Sequence, residues 1–199
     1  PMDPDAFARM LDDAHQVGLQ VVVYCSPYYS SAPDLLAEFE RVLNQYQLDG
    51  LYFDGWCPLR DDFRVGYQFM RQARALLGDK ILYLHSSTDP FGSVDVYLPF
   101  VFSYADFCLR GEAGRGDSEL DPFLRYSVSG HQISSSVGMW CYYGSTGASG
   151  YQFVVPTSAH IEAALRNHAR LWRQSRMWRQ FPDELARFDR EYYGALARR

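Results

Sequence analysis

Asp54 ends the otherwise apolar run Leu51-Tyr52-Phe53 and is followed at once by Gly55 and Trp56. An acid in that place emerges at the carboxyl end of a strand rather than inside it. Glu112 comes just after a second apolar run, Phe107-Cys108-Leu109, in the segment Leu109-Arg110-Gly111-Glu112. Arg110 adds a positive charge that can lower a neighbouring carboxylate's pKa or hold a hydroxyl. Two carboxyl groups facing each other across a bond are what glycosidic cleavage requires, one as nucleophile or base and the other as proton donor. Asp106 is a rival to Glu112; it is expected inside its strand, contacting an interior or pairing with an arginine. Each acid also has a plainer reading: Asp54-Gly55 as a strand-end turn or helix N-cap, Glu112 as a solvated acid opening a polar loop.

The residues around these acids suit a sugar site. Tyr28, Tyr29, Trp56, Trp140 and Tyr142 follow or end apolar runs and offer flat faces for C–H groups, with a polar handle on each ring. The same residues serve equally well as core. His85 ends the run Ile81-Leu82-Tyr83-Leu84 and can donate to a hydroxyl or orient Asp54. Together with Asp89 and His131 it leaves a metal-dependent hydrolase as a weaker alternative. No H-x-H or H-E-x-x-H occurs, and no serine lies in a G-x-S-x-G elbow, so neither a metal nor any other cofactor is expected.

These side chains need a scaffold that brings strand ends together. Apolar, β-branched or aromatic runs recur at Gln20–Cys25, Leu51–Asp54, Ile81–His85, Ala105–Leu109 and Val137–Cys141. Amphipathic helices are predicted between them, over Asp5–Val17, Pro33–Tyr46 and Phe63–Leu77, with Gly18 and Gly78 as stops. This alternation predicts parallel β-α-β units. Polar and aromatic residues after nearly every strand favour a (β/α)8 TIM barrel over an open doubly wound sheet, and no G-x-G-x-x-G follows any strand. The expected fold is therefore α/β, a single partial TIM-barrel domain over residues 1–199. About five or six of the eight units are present, and the missing ones are expected to precede Pro1. Gly111–Asp121 and Gly144–Gly150 are expected loops. Thr157 to Pro182 is expected as one helix, capped by Ser158 with a stripe through Ile161, Leu165, His168 and Trp172, and a shorter helix follows it.

Composition narrows the classes further. The chain has 199 residues, 47% hydrophobic and 22% charged, as in an ordinary globular protein. A net charge of -5 argues against a general nucleic-acid surface, and no apolar run reaches membrane-spanning length. The helical spacing of Arg170, Arg173 and Arg176 reads as a solvated face. Four widely spaced cysteines form no C-x-x-C pair. They read as buried free thiols, although a Cys25–Cys57 bridge is feasible if their strands are neighbours.

The segment Leu48-Asp49-Gly50-Leu51-Tyr52-Phe53-Asp54-Gly55-Trp56 resembles barrel glycoside hydrolases, particularly the retaining α-galactosidase and α-glucosidase superfamily. The run Tyr104-Ala105-Asp106-Phe107-Cys108-Leu109-Arg110-Gly111-Glu112 is similar to segments of uncharacterised proteins assigned to it, and the likeness covers roughly Gly18 to Trp140. It implies that Asp54 ends the fourth barrel strand as nucleophile, and that Glu112, after the sixth, is the general acid and base. Arg110 and His85 would then position hydroxyls, and Tyr28, Tyr29, Trp56 and Trp140 would contact the sugar. Where the best-known members carry Asp as second acid, this sequence has Glu112. The expected activity is glycoside hydrolysis on a carbohydrate substrate, with neither nucleic acid nor membrane as partner. The alternative is a carbohydrate-binding or structural barrel module without turnover.

Overall fold

The computed structural model describes residues 3–27, 34–54, 63–85, 99–111, 117–128, 137–140, 144–145, 151–152, 158–167, 169–171, 183, 186–187 and 189–193. The chain divides into two compact units, Pro1–Cys108 and Leu109–Arg199.

In the first unit, helix α1 (Pro4–Gln16) leads into strand β1 (Val22–Cys25), then α2 (Leu35–Gln45), β2 (Gly50–Phe53), α3 (Phe63–Leu77), β3 (Ile81–His85) and the single turn α4 (Pro99–Phe102). The start of β4 (Phe107–Gly111) closes the unit. The helix ends follow from local chemistry. Asp3 caps α1 by accepting the Ala6 N–H at 2.8 Å, and Asp34 caps α2 by accepting that of Ala37 at 3.0 Å. Gly18 and Gly78 stop α1 and α3 with φ of 77° and 57°, a left-handed conformation that costs a side-chain-bearing residue roughly 1 kcal/mol or more.

The strands lie in the order β1-β2-β3-β4 in a parallel sheet. Val22 pairs with Gly50 and Gly50 with Ile81, and the register runs on to Cys25, Phe53 and Leu84. Gly50 is required: a Cβ there would collide with the backbone carbonyl and the side chain of Ile81.

Alternation along the strands separates two faces. On one, Val23, Cys25, Leu51, Phe53, Leu82, Leu84 and Cys108 pack with Phe39 of α2, Met70, Ala73 and Leu77 of α3, and Val101 and Phe102 of α4. Helix α1 joins the same face through Leu11 and Phe7, which meet Tyr46, Leu48, Val21 and Val23. Phe39 stacks on Phe53 with ring centroids 5.1 Å apart. Burying a side chain of this size contributes roughly 1.5–3 kcal/mol by transfer from water. On the opposite face a ladder of rings crosses the sheet: Tyr24 to Tyr52 at 5.8 Å, Tyr52 to Tyr83 at 4.9 Å and Tyr83 to Phe107 at 5.8 Å. Consecutive strand order with right-handed crossovers puts every connecting helix on one side of a sheet, as seen here. The architecture is thus α/β with a four-stranded parallel sheet; a closed barrel is not seen among the described residues.

The second unit departs more from the sequence-based expectation. Helix α5 (Asp117–Phe123) occupies much of the expected loop Gly111–Asp121, despite Pro122 near its end, and a π-helical turn, Leu124–Val128, follows it directly. Strand β5 (Val137–Trp140) lies where it was expected. The expected loop 144–150 begins in a two-residue strand, β6 (Gly144–Ser145), antiparallel to β7 (Tyr151–Gln152). The long tail helix is not continuous. Helix α6 (Ser158–Arg166) ends at Asn167, and the chain then enters β8 (Arg170–Leu171), parallel to β5, before a last π-helical turn at Asp189–Tyr193. Asn167 explains the stop. Its side-chain NH2 donates to the Ala163 carbonyl at 2.9 Å and to Asp121, competing with continued helix. Arg166 also bonds both Asp121 oxygens, at 2.7 and 2.9 Å. Arg170 therefore belongs to a strand, not to a basic helix face. Among the described residues no helix is long and apolar enough to cross a membrane.

Candidate active site at the carboxyl end of the sheet

Asp54 follows Phe53, the last residue of β2, and His85 is the last residue of β3. Parallel pairing in register brings these two strand ends side by side. The Asp54 N–H donates to the Cys25 carbonyl of β1 at 3.0 Å, fixing its main chain. Its Oδ1 lies 2.5 Å from His85 Nδ1. An ionised carboxylate can only accept, so with Asp54 ionised the donor of this pair is Nδ1–H. The His85 side chain is 8% exposed and that of Asp54 28%. The imidazole thus sits behind the carboxylate, and the carboxylate reaches solvent. The His85 ring also lies nearly parallel to that of Tyr52, at 17° and 6.4 Å between centroids.

The neighbouring thiol has no nucleophilic part here. Burial pushes Cys25 up to about 12, so it stays protonated at neutral pH. Its S–H donates to the Tyr52 carbonyl at 3.4 Å. Cys25 and Cys108 are free thiols; Cys57, the other member of the feasible bridge, lies outside the described residues.

Of the residues expected at the site, the structure brings together Asp54 and His85. Arg110 lies in β4 and Trp140 in β5, both by backbone. Glu112, Tyr28, Tyr29 and Trp56 lie outside the described residues, as do Asp89, His131 and Tyr142. Among the described residues no group of His, Cys, Asp and Glu could hold a metal ion.

Asp106 is the clear correction. It was expected inside the strand as a rival second acid, yet β4 begins only at Phe107, so Asp106 lies at the amino end of the sheet. There its N–H donates to the Leu82 carbonyl at 2.8 Å, and its Oδ2 accepts the Leu82 N–H at 2.8 Å and Arg74 Nη1 at 2.8 Å. Those bonds turn the chain before the strand starts. The expected pairing with an arginine is correct; a place beside Asp54 is not.

The same device recurs two crossovers earlier, between β1 and β2, with no local signal for it in the residue pattern. Asp49, just before β2, donates its N–H to the Val21 carbonyl at 3.0 Å and accepts the Val21 N–H at 2.7 Å. His15 Nε2, from the last turn of α1, reaches the same carboxylate oxygen at 2.9 Å. Partial burial pushes Asp49 up, but the Val21 N–H, His15 and the positive charge of Lys80 outweigh it and hold the carboxyl below its usual range.

A cavity of about 620 Å³ opens near β1, lined by Phe7, Tyr24, Arg41, Val42 and Tyr46 among others; neither Asp54 nor His85 borders it. No protein-family model, curated protein or solved structure matches this chain.

Proposed function

We infer that the chain belongs to a barrel-type glycoside hydrolase in which Asp54 attacks the anomeric carbon or stabilises its positive charge. The observation that carries this reading is the placement of Asp54. It is a partly exposed carboxylate at the carboxyl end of a buried parallel strand, held by a histidine from the next strand. Parallel α/β folds put their chemistry at that end. The consecutive strand order, with helices α1 to α4 packed on one face, suits a barrel better than a doubly wound sheet, whose helices cover both faces.

Glu112, the residue after β4 in the sequence, is assigned as the second acid. In the first step Asp54 Oδ bonds to the anomeric carbon while the bond to the leaving oxygen breaks, and Glu112 passes its proton to that oxygen. In the second, water gives a proton back to Glu112 and displaces Asp54, restoring both carboxyl groups. Arg110, Tyr28, Tyr29, Trp56 and Trp140 are the proposed sugar contacts.

The test is hydrolysis of a panel of 4-nitrophenyl glycosides, α-galactoside and α-glucoside included, by the wild-type chain and by Asp54→Asn. The wild type releases nitrophenol from at least one of them. Asp54→Asn, with unchanged circular dichroism, does not. Hydrolysis retained by the variant removes Asp54 from the mechanism.

A further inference from the structure

We propose that His85 is a positioning residue for Asp54, its Nδ1–H holding the carboxylate ionised and aimed, rather than the group that itself exchanges protons with the substrate. The inference rests on the glycosidase reading for its catalytic meaning, but its structural part stands without it.

Three observations lead there. The contact is close: Nδ1 lies 2.5 Å from Oδ1, within hydrogen-bonding reach. The burial is unequal: the imidazole is almost wholly enclosed while the carboxylate is partly exposed. A substrate arriving from solvent therefore meets Asp54 first and His85 behind it. Finally, the two partners are tied to separate elements. Asp54 is anchored through its N–H to β1, and His85 belongs to β3 with its ring along Tyr52. The carboxylate is thereby fixed by its backbone on one side and by its side chain on the other, and such convergence restricts the rotation of a nucleophile. Two titratable side chains of described elements meet this ring, Asp54 through its carboxylate and Tyr52 through its stacked ring.

The experiment compares His85→Leu with His85→Asn, whose amide NH2 can stand in for the Nδ1–H, using the 4-nitrophenyl glycoside that the wild type cleaves best. His85→Leu is expected to lower kcat by roughly 10–100-fold with KM within about twofold, since the lost group acts through Asp54 and not on the sugar. His85→Asn is expected to restore about tenfold or more of that loss. Equal loss in both variants overturns the inference and makes the imidazole itself the proton-transfer group. A rise in KM without change in kcat overturns it too, placing His85 on the substrate.

A second measurement needs no turnover. Long-range 1H–15N NMR of the imidazole is expected to show the Nδ1–H tautomer in the wild type, with its proton moved upfield by Asp54→Asn. An Nε2–H tautomer overturns the inference even if the chain cleaves glycosides. The expected tautomer in a chain that cleaves none sinks the glycosidase reading alone.

Discussion

Strand β2 is bracketed by two histidine–aspartate pairs, and they are built for different purposes. At its amino end Asp49 receives His15 at 2.9 Å; at its carboxyl end Asp54 receives His85 at 2.5 Å. In both, the aspartate's own N–H bonds a main-chain carbonyl of the neighbouring strand segment, that of Val21 just before β1 for Asp49 and that of Cys25 in β1 for Asp54. The difference lies in what else the carboxylate does. The Asp49 oxygen that meets His15 also takes the Val21 N–H, so it closes a ring with the backbone of the neighbouring strand. Asp106 repeats that ring on Leu82, with Arg74 in place of the histidine. In each case the basic side chain comes from the last turn of the helix that leads into the stapled strand, α1 for β1 and α3 for β3. The amino end is therefore a repeated staple that locks helix to sheet. At the carboxyl end, the buried partner is the histidine and the carboxylate is the more exposed member. One end uses its acids to hold strands; the other presents an acid.

Asparagine at each aspartate tests this contrast most sharply. Asp54→Asn is expected to lower kcat by roughly 10³-fold or more, with an unfolding midpoint within a few degrees of wild type. Asp49→Asn is expected to keep the activity per folded molecule. Comparable losses of activity in the two variants would abolish the distinction between the ends. Next in size comes Gly50→Ala, one residue from Asp49. The added methyl group meets the Ile81 backbone, which cannot step aside as a side-chain tip can. A loss of up to about 3 kcal/mol in urea unfolding is expected.

How much of this was readable in advance depended on the length of the pattern. Helix α3 and strand β3 fall on their expected bounds, because a long amphipathic period and an uninterrupted apolar run leave little freedom. Asp54 and His85 were legible for the same reason: each ends such a run. Asp106 was misplaced because Ala105 and Asp106 lead straight into the apolar run Phe107-Cys108-Leu109 with no Gly or Pro to mark a turn. Only the bonds to Leu82 and Arg74 show that they form the turn before it. Asp49–His15 was invisible because nothing local links residues that meet through packing of α1 on the sheet. In the second unit the two-residue strands β6, β7 and β8 are too short to carry any period, and Asn167 ends a helix that the apolar stripe would have continued.

The amino-end staple also makes a smaller, pH-dependent prediction. Removing the Asp49 charge while keeping one acceptor oxygen should cost about 1.5–3 kcal/mol at neutral pH, the range for a hydrogen bond to an ionised group. The folded carboxyl is held below its usual range, so its stabilisation is present above the unfolded value, about 3.9, and fades as pH falls through the lower folded value. Urea midpoints of wild type and Asp49→Asn should therefore differ by a constant amount from about pH 7 to 5, then converge below about pH 4. A gap that persists into strong acid would mean that Asp49 acts through shape alone. The ionic part of the staple would then have to be abandoned, and His15 and Arg74 would be alike only as hydrogen-bonding partners.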